Sequence, residues 1–353
     1  LMSFEQLESV WPVHGSVLVE GGVACCVAGR SMFVDGGLRL CRLDPKTGRK
    51  LSETILDDRD PETGENLQAK VRGLNMPVAL PDVLSSDGRY LYMRSQRFDL
   101  QGTRQNIGPT NVTEQVGEGI HLFSPAGFLD GSWFHRSYWM FGRSVASGWG
   151  GWFRAARYVP AGRLLAVDGS TVYGFGRKPQ FLCQSSVLEY QLFAADKEIK
   201  AEPIRHVVNA RRRINAGTKK NVSAADWKVR EGFSLADLSA VSYKWVRENP
   251  PLEVRAMVLA GKTLFVAGPP NVVDEKDAFR HPDAARIREK LEEQAAALEG
   301  RKGALLWAVS ASDGKRVAEY NLESMPVWDG MAAADGQLYI STGDGRLICM
   351  GEK

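Results

Sequence analysis

Leu43-Asp44-Pro45-Lys46-Thr47-Gly48-Arg49-Lys50-Leu51 lines up residue for residue with Val309-Ser310-Ala311-Ser312-Asp313-Gly314-Lys315-Arg316-Val317, far downstream. Each stretch reads as a strand end, a turn closed by glycine, a basic pair and a return strand. Tyr190 to Lys197 is a third, degenerate copy. Working upstream from these hairpins, residues 16–29, 256–268 and 331–343 share another pattern. It runs apolar strand, glycine turn, then a second apolar strand that ends in small residues. Two weaker copies run from Asp82 to Met93 and from Arg163 to Gly176, with turns at Asp87-Gly88 and Asp168-Gly169. Asp-Gly between apolar runs is a strong local hairpin signal.

Joined together, the two patterns make a unit of four short antiparallel strands, present about five times. Such sheets bury their faces against one another around an axis, which is the propeller architecture. A β-sandwich also has many short strands, but it would not repeat one turn chemistry at one place. The expected fold is therefore all-β, a β-propeller of four-stranded antiparallel blades. It spans residues 1–353 as a single domain, or as the C-terminal part of a seven- or eight-bladed ring. The last unit stops at Leu347-Ile348-Cys349-Met350, after its third strand. Either Leu7 to Val13 or blades upstream would supply the outer strand, because an open edge invites aggregation.

Two helical insertions are expected, near 223–238 and 282–300. The second has Pro282 and Asp283 at its start, apolar Ile287, Leu291 and Leu298, and Gly300 as its stop. Asp57 to Leu74 reads as a polar loop. The 36 glycines suit a fold with many tight turns. A net charge of +3 is too mild to direct the chain to nucleic acid or to a membrane surface. No apolar run approaches the roughly 20 residues that span a bilayer. The N-terminus carries no signal-peptide pattern, and Met2 follows Leu1, so a mature or trimmed fragment is expected. Five cysteines without CxxC spacing point to neither a disulfide framework nor a zinc site.

The hairpin from Leu43 to Arg49 resembles the L-D-x-x-T-G-K element of pyrroloquinoline-quinone-type (quinoprotein-like) propeller repeats. The strand Gly336-Gln337-Leu338-Tyr339-Ile340-Ser341-Thr342-Gly343 resembles the element preceding it. That family includes quinone-dependent alcohol dehydrogenases and a non-enzymatic outer-membrane assembly lipoprotein. Residues 6–15 and 148–152 look like those of planctomycete-type exported propeller proteins, in which such segments follow earlier blades. The resemblance implies the fold, a C-terminal portion, and an exported or periplasmic location.

It also raises a quinone and Ca²⁺ as cofactors. A quinone dehydrogenase in this family needs Ca²⁺ ligands, an aspartate base and a stacking tryptophan, and in many members a disulfide between adjacent cysteines. Cys25-Cys26 is the tempting match. Those residues fall inside a second strand, where adjacent side chains point to opposite faces and fill core positions. With no recognisable Ca²⁺-ligand segments, no catalytic residues, cofactor or metal are assigned. The expected role is non-catalytic: a binding or scaffold protein offering a face or channel mouth to a protein, glycan or small ligand. The alternative is a pyrroloquinoline-quinone-dependent dehydrogenase of alcohols or sugars, or a divergent descendant.

Two groups of candidate ligand-binding residues follow. His14, Asp82, Arg163, Arg255 and Asp329 stand just ahead of the first strand of each unit. Innermost strands line a propeller's channel, so these residues are expected at its mouth, as a ligand site or as a ring of ion pairs. The densest aromatic stretch, with His135, Arg136, Trp139, Trp149 and Trp152, suits stacking on a sugar or a planar ligand, or inter-blade packing. Arg211 to Arg213 with Lys219 and Lys220 reads as a solvated basic loop. Asn111 and Asn221 head glycosylation-type triplets, a pattern frequent by chance.

Overall fold

The computed structural model describes residues 2–3, 5–70, 77–108, 113–125, 127–128, 138–143, 155–179, 190–216 and 233–351. The chain divides into two compact units, Leu1–Leu129 with Trp139–Arg154, and Asp130–Tyr138 with Ala155–Lys353.

In the first unit, a four-stranded sheet takes its strands in chain order: Leu18–Glu20, Val23–Ala28, Leu38–Leu43 and Lys50–Leu56. A second blade follows with Leu84–Ser86, Tyr90–Met93 and Gln96–Asp99. Cys25, Val27, Leu38, Leu40 and Leu56 of the first blade pack with Leu84, Leu91, Met93 and Phe98 of the second. This is the face-to-face burial that a blade requires. Each fully buried apolar side chain of this size contributes roughly 1.5–3 kcal/mol. Ile120–Phe123 pairs with Trp139–Arg143 in a further sheet that the repeats did not reveal.

The second unit holds two complete blades, again in chain order. One comprises Leu164–Val167, Thr171–Arg177, Tyr190–Asp196 and Tyr243–Glu248. The other comprises Ala256–Ala260, Thr263–Gly268, Ala304–Ser310 and Arg316–Leu322. A three-stranded sheet follows, of Pro326–Ala334, Gln337–Thr342 and Leu347–Gly351. Phe175, Leu192, Leu264, Val266 and Trp307 form one inter-blade core, and Ala267, Leu306, Leu338 and Ile340 form the next. The propeller expectation is met blade by blade.

The aligned hairpins are the same object. Asp44 N–H donates to Arg49 O (2.9 Å) and Gly48 N–H to Asp44 O (2.8 Å); Ser310 N–H donates to Lys315 O (2.8 Å) and Gly314 N–H to Ser310 O (2.9 Å). Both have a bulge one step before the turn, at Arg42/Leu43 and at Ala308/Val309. Gly48 and Gly314 share a φ of 70°, which glycine adopts without strain. Their surroundings differ. Nothing lies within 4 Å of a Cβ built on Gly48, whereas one on Gly314 would sit 2.6 Å from the Trp245 ring. Gly48→Ala should therefore cost about 1 kcal/mol, the backbone term alone. Gly314→Ala adds a clash with an indole whose Nε1–H is held by Ala311 O at 2.9 Å. A larger loss is expected there, about 2–4 kcal/mol in urea unfolding. Equal losses would show that the indole moves aside freely.

Asp60-Pro61-Glu62-Thr63-Gly64 repeats the Asp44-Pro45-Lys46-Thr47-Gly48 turn inside the segment read as a polar loop. Asp60 Oδ1 accepts from Glu62 N–H (2.9 Å) and Thr63 N–H (3.0 Å), as Asp44 Oδ1 does from Lys46 and Thr47. The Asp-Gly pairs split into two kinds. Asp335 and Gly336 both have positive φ, 50° and 74°, as a primed two-residue hairpin turn demands. Asp87 and Asp168 instead precede the turn, and their carboxylates accept from backbone N–H groups two and three residues on.

The insertion expected at 282–300 is the helix Ala285–Leu298, with Gly300 past its end at φ 82°. It buries Ile287, Ala296 and Ala297, while Leu291 is exposed. Of the insertion expected near 223–238, the described part holds the helix Leu235–Leu238, capped by Ser234. Arg211 to Arg213 do not form a loop; they belong to the helix Ala201–Ala216, which buries Ile204, Val207 and Ala210 at a spacing of three. The arginine run and Val207-Val208 hid that short apolar stripe. Among the described residues, no helix is long and apolar enough to cross a membrane.

Candidate functional site

The residues ahead of the inner strands share a structural job. In the first unit, Ser16 N–H donates to Asp82 O (2.8 Å), and Ser16 Oγ accepts from Leu84 N–H (3.2 Å). A Cβ on Gly15 would lie 2.1 Å from Pro81 O, so the backbone next to His14 is pressed onto the Asp82 segment. The Asp82 carboxylate accepts Phe128 N–H (2.7 Å) and opposes Arg94. Arg94 is buried at φ 53°, and burial lowers its guanidinium to about 10. In the second unit, Arg255 N–H donates to Ala267 O and Asp329 N–H donates to Arg255 O, each at 2.8 Å. Arg163, 1% exposed, lies over the Trp328 indole at 4.8 Å. Thus residues opening separate blades touch within each unit through backbone bonds and ring stacking.

Beside these entries the second unit carries a pocket of about 210 Å³, lined among others by Tyr190, Asn249, Glu253, Asn271, Glu275 and Lys290. Backbone bonds on both sides hold Glu253 in place. Glu253 N–H donates to Pro269 O and Asn271 N–H to Pro251 O, both at 2.9 Å. Approach is so close that a Cβ on Gly268 would lie 1.8 Å from Glu253 O, so only glycine fits there. The other wall comes from the insertion. Gln294 of the helix Ala285–Leu298 accepts Val272 N–H (2.8 Å) and donates to Pro270 O (3.0 Å), pinning the segment that leads into Asp274, the N-cap of the helix Glu275–Arg280.

Glu253 Oε2 is buried and meets no hydrogen-bond partner among the described residues. Burial, with a smaller contribution from the Glu275 carboxylate, raises the Glu253 carboxyl to about 8. It is therefore protonated at neutral pH. Tyr190, stacked on Phe175 at 5.0 Å, has its hydroxyl pushed upward by burial. Sequence reasoning stopped two residues short, at Arg255. Glu253 is a lone acid between the buried Leu252 and Val254, and only the tertiary fold turns it into a pocket.

The first unit contains another buried titratable group, His121, stacked on Tyr92 with centroids 3.7 Å apart. Its Nδ1 lies 2.8 Å from Gly119 O and its Nε2 lies 3.1 Å from Arg94 O. A neutral imidazole donates to only one of them; the imidazolium would donate to both. Burial nonetheless holds the ring neutral, lowering it to about 4.

Of the aromatic candidates, Trp139 opens the strand Trp139–Arg143 and is half-buried. His135, Arg136, Trp149 and Trp152 lie outside the described residues, as do Asn111 and Asn221. Cys25 and Cys26 lie in the strand Val23–Ala28, 1% and 8% exposed. Cys25 joins the inter-blade core, while Cys26 stands opposite Cys41 on the neighbouring strand. Their sulfurs point to opposite faces and do not form the adjacent-cysteine cover of a quinone site. No group of three or more His, Cys, Asp or Glu able to hold a metal ion occurs among the described residues. The described residues thus do not fit the Ca²⁺-and-quinone set.

No protein-family model matches the chain, and no curated protein matches it. Several solved structures do resemble it. They include BamB from Moraxella catarrhalis, at 12% identity and a TM-score of 0.37, covering 98% of this chain and 74% of that one. Kuenenia stuttgartiensis hydrazine synthase shows 12% identity and a TM-score of 0.39, covering 99% and 80%. A quinohemoprotein alcohol dehydrogenase from Pseudomonas putida HK5 shows 12% and 0.31, covering 98% and 41%. At such identities and scores, function rests on this chain's own residues.

Proposed function

We propose that this chain is a non-catalytic binding protein of the propeller class, taking a small polar ligand in the Glu253 pocket of its second unit. One observation carries the reading: a buried carboxyl whose Oε2 lacks a partner, set in the wall of a polar pocket. Leaving a buried polar atom unsatisfied costs about 1–3 kcal/mol, which a bound donor would recover. The volume holds about seven waters at roughly 30 Å³ each, so the ligand is a metabolite-sized molecule. An exported or periplasmic location belongs to this reading and draws on the repeat resemblance alone.

Ligand-observed NMR with a library of small polar metabolites tests the proposal. Hits are expected with the wild-type chain and should be lost in Asn271→Trp, which fills the pocket from its wall. Hits that bind both forms equally would remove the site. Turnover of a hit would overturn the non-catalytic reading. So would stoichiometric uptake of pyrroloquinoline quinone with Ca²⁺, seen by absorption, in favour of a quinoprotein dehydrogenase.

A further inference from the structure

We infer that the ligand of the Glu253 pocket is a neutral primary carboxamide, paired to the Glu253 carboxyl and to the Asn271 side chain. This deepens the reading above and rests on it. Leu252 bridges Pro270 in an antiparallel pairing, so Glu253 and Asn271, one residue further along each segment, share the opposite face. The backbone bonds to Pro269 O and Pro251 O fix that placement. Oε2 of Glu253 is buried without a partner, and no hydrogen bond acts on the carboxyl. Burial is the chief reason that it keeps its proton, so the proton does not depend on what Glu275 pairs with. Glu253 therefore presents an O–H donor beside a carbonyl acceptor. Asn271 donates weakly to Pro250 O (3.4 Å), leaving its own carbonyl oxygen as a second acceptor for a ligand.

No cation acts on the Glu253 carboxyl. Lys290, on the helix Ala285–Leu298, lines the pocket but is exposed. Lys178 donates to Glu248 (3.0 Å) and to Asn249 Oδ1 (2.9 Å). Arg163 and Arg177 act on the Tyr190 hydroxyl, which burial keeps protonated. Asp274 Oδ1 accepts Asp277 N–H at 2.9 Å as the N-cap of the helix that Glu275 begins. These surroundings select among ligand classes. An anion could accept the carboxyl O–H, but it would bury its own charge with no cation beside it. An ammonium group would have to strip the proton against the burial that keeps it there. A hydroxyl has one proton for two acceptors, Glu253 and Asn271. A primary carboxamide answers all three groups without burying a charge. Its carbonyl accepts the Glu253 O–H, one N–H donates to the Glu253 carbonyl oxygen, and the other donates to Asn271 Oδ1.

Titration with butanamide and with its charged counterparts of similar size, butanoate and butan-1-amine, followed by ligand-observed NMR at pH 7 and pH 9, tests this. Butanamide should bind tightest of the three at pH 7. Its affinity should be about tenfold weaker at pH 9, where the empty pocket's carboxyl has given up its proton. Glu253→Gln also offers a donor beside an acceptor, and it does not titrate. That variant should bind butanamide equally at both pH values, and so exceed the wild-type chain at pH 9. Butanamide affinity that is flat with pH in the wild-type chain, yet lost in Asn271→Trp, would overturn the carboxamide pairing while the pocket stands. Tighter binding of butan-1-amine or of butanoate at pH 7 would do the same. So would absence of butanamide binding at tens of millimolar, with other library hits still lost in Asn271→Trp. If no small ligand depends on Asn271 at all, the pocket reading itself falls.

Discussion

Glu253→Gln makes the second unit more resistant to unfolding than the wild-type chain above pH 8, and the difference vanishes near pH 5. The Glu253 carboxyl stands at about 8 in the folded chain against an ordinary 4.5. Between those values the folded state keeps a proton that the unfolded state has lost. Stability therefore falls as pH rises through that window and levels off above about 8. At 1.36 kcal/mol per pH unit, the full loss is roughly 3–5 kcal/mol. Glutamine keeps the shape and cannot ionise, so its stability curve should stay flat across the window. Hydrogen exchange of the amides in Thr263–Gly268, followed against pH, reads the effect locally. Parallel wild-type and variant profiles would show that water reaches the carboxyl and solvates its charge.

The first unit should fail at the opposite end. His121 is held at about 4, below its ordinary 6.5, so the unfolded chain binds a proton that the folded one refuses. Stability rises with pH across this range, and on acidification it is lost between about 6.5 and 4, by about 3 kcal/mol. Exchange at Tyr90–Met93 and Ile120–Phe123 should accelerate there while the second unit stays protected. His121→Phe preserves a stacking partner for Tyr92 and removes the titration. It also deprives a buried carbonyl, Gly119 O or Arg94 O, of its donor. The variant's acid limb should be flat, and its neutral plateau lower by about 1–3 kcal/mol. An unchanged acid limb would mean that the imidazolium is accommodated by those two carbonyls.

The blades were legible because their signals are local. Strand alternation and glycine at positive φ act within ten or so residues, and the hairpin ending in Gly48 matches its partner at Gly314 down to the bulge. Asp82 and Arg255, which the alignment placed at strand entries, each accept a backbone N–H from another blade's entry. What each side chain meets was not legible. Arg163 lies over Trp328, and Glu253 finds Glu275, across long sequence separations that no period encodes. The sheet of Ile120–Phe123 with Trp139–Arg143 was not among the repeats recognised. Asp60 to Gly64 shows the reverse failure: a repeated turn was in plain view inside a stretch judged by its polarity.

The helical insertion that walls the pocket occupies residues 269–303, where the corresponding connection in the first blade occupies only residues 29–37. Lengthening a loop roughly fourfold is two doublings, and loop-closure entropy charges about 1.2 kcal/mol for them. Ile287, Ala296 and Ala297, once buried, return at least that much. A blade of this kind can therefore acquire a binding wall between its second and third strands with the strand register untouched, because closing the longer loop adds little to the entropy of ordering its residues. Recognition in such a chain can diversify through what is threaded between strands, while the sheets themselves stay constant.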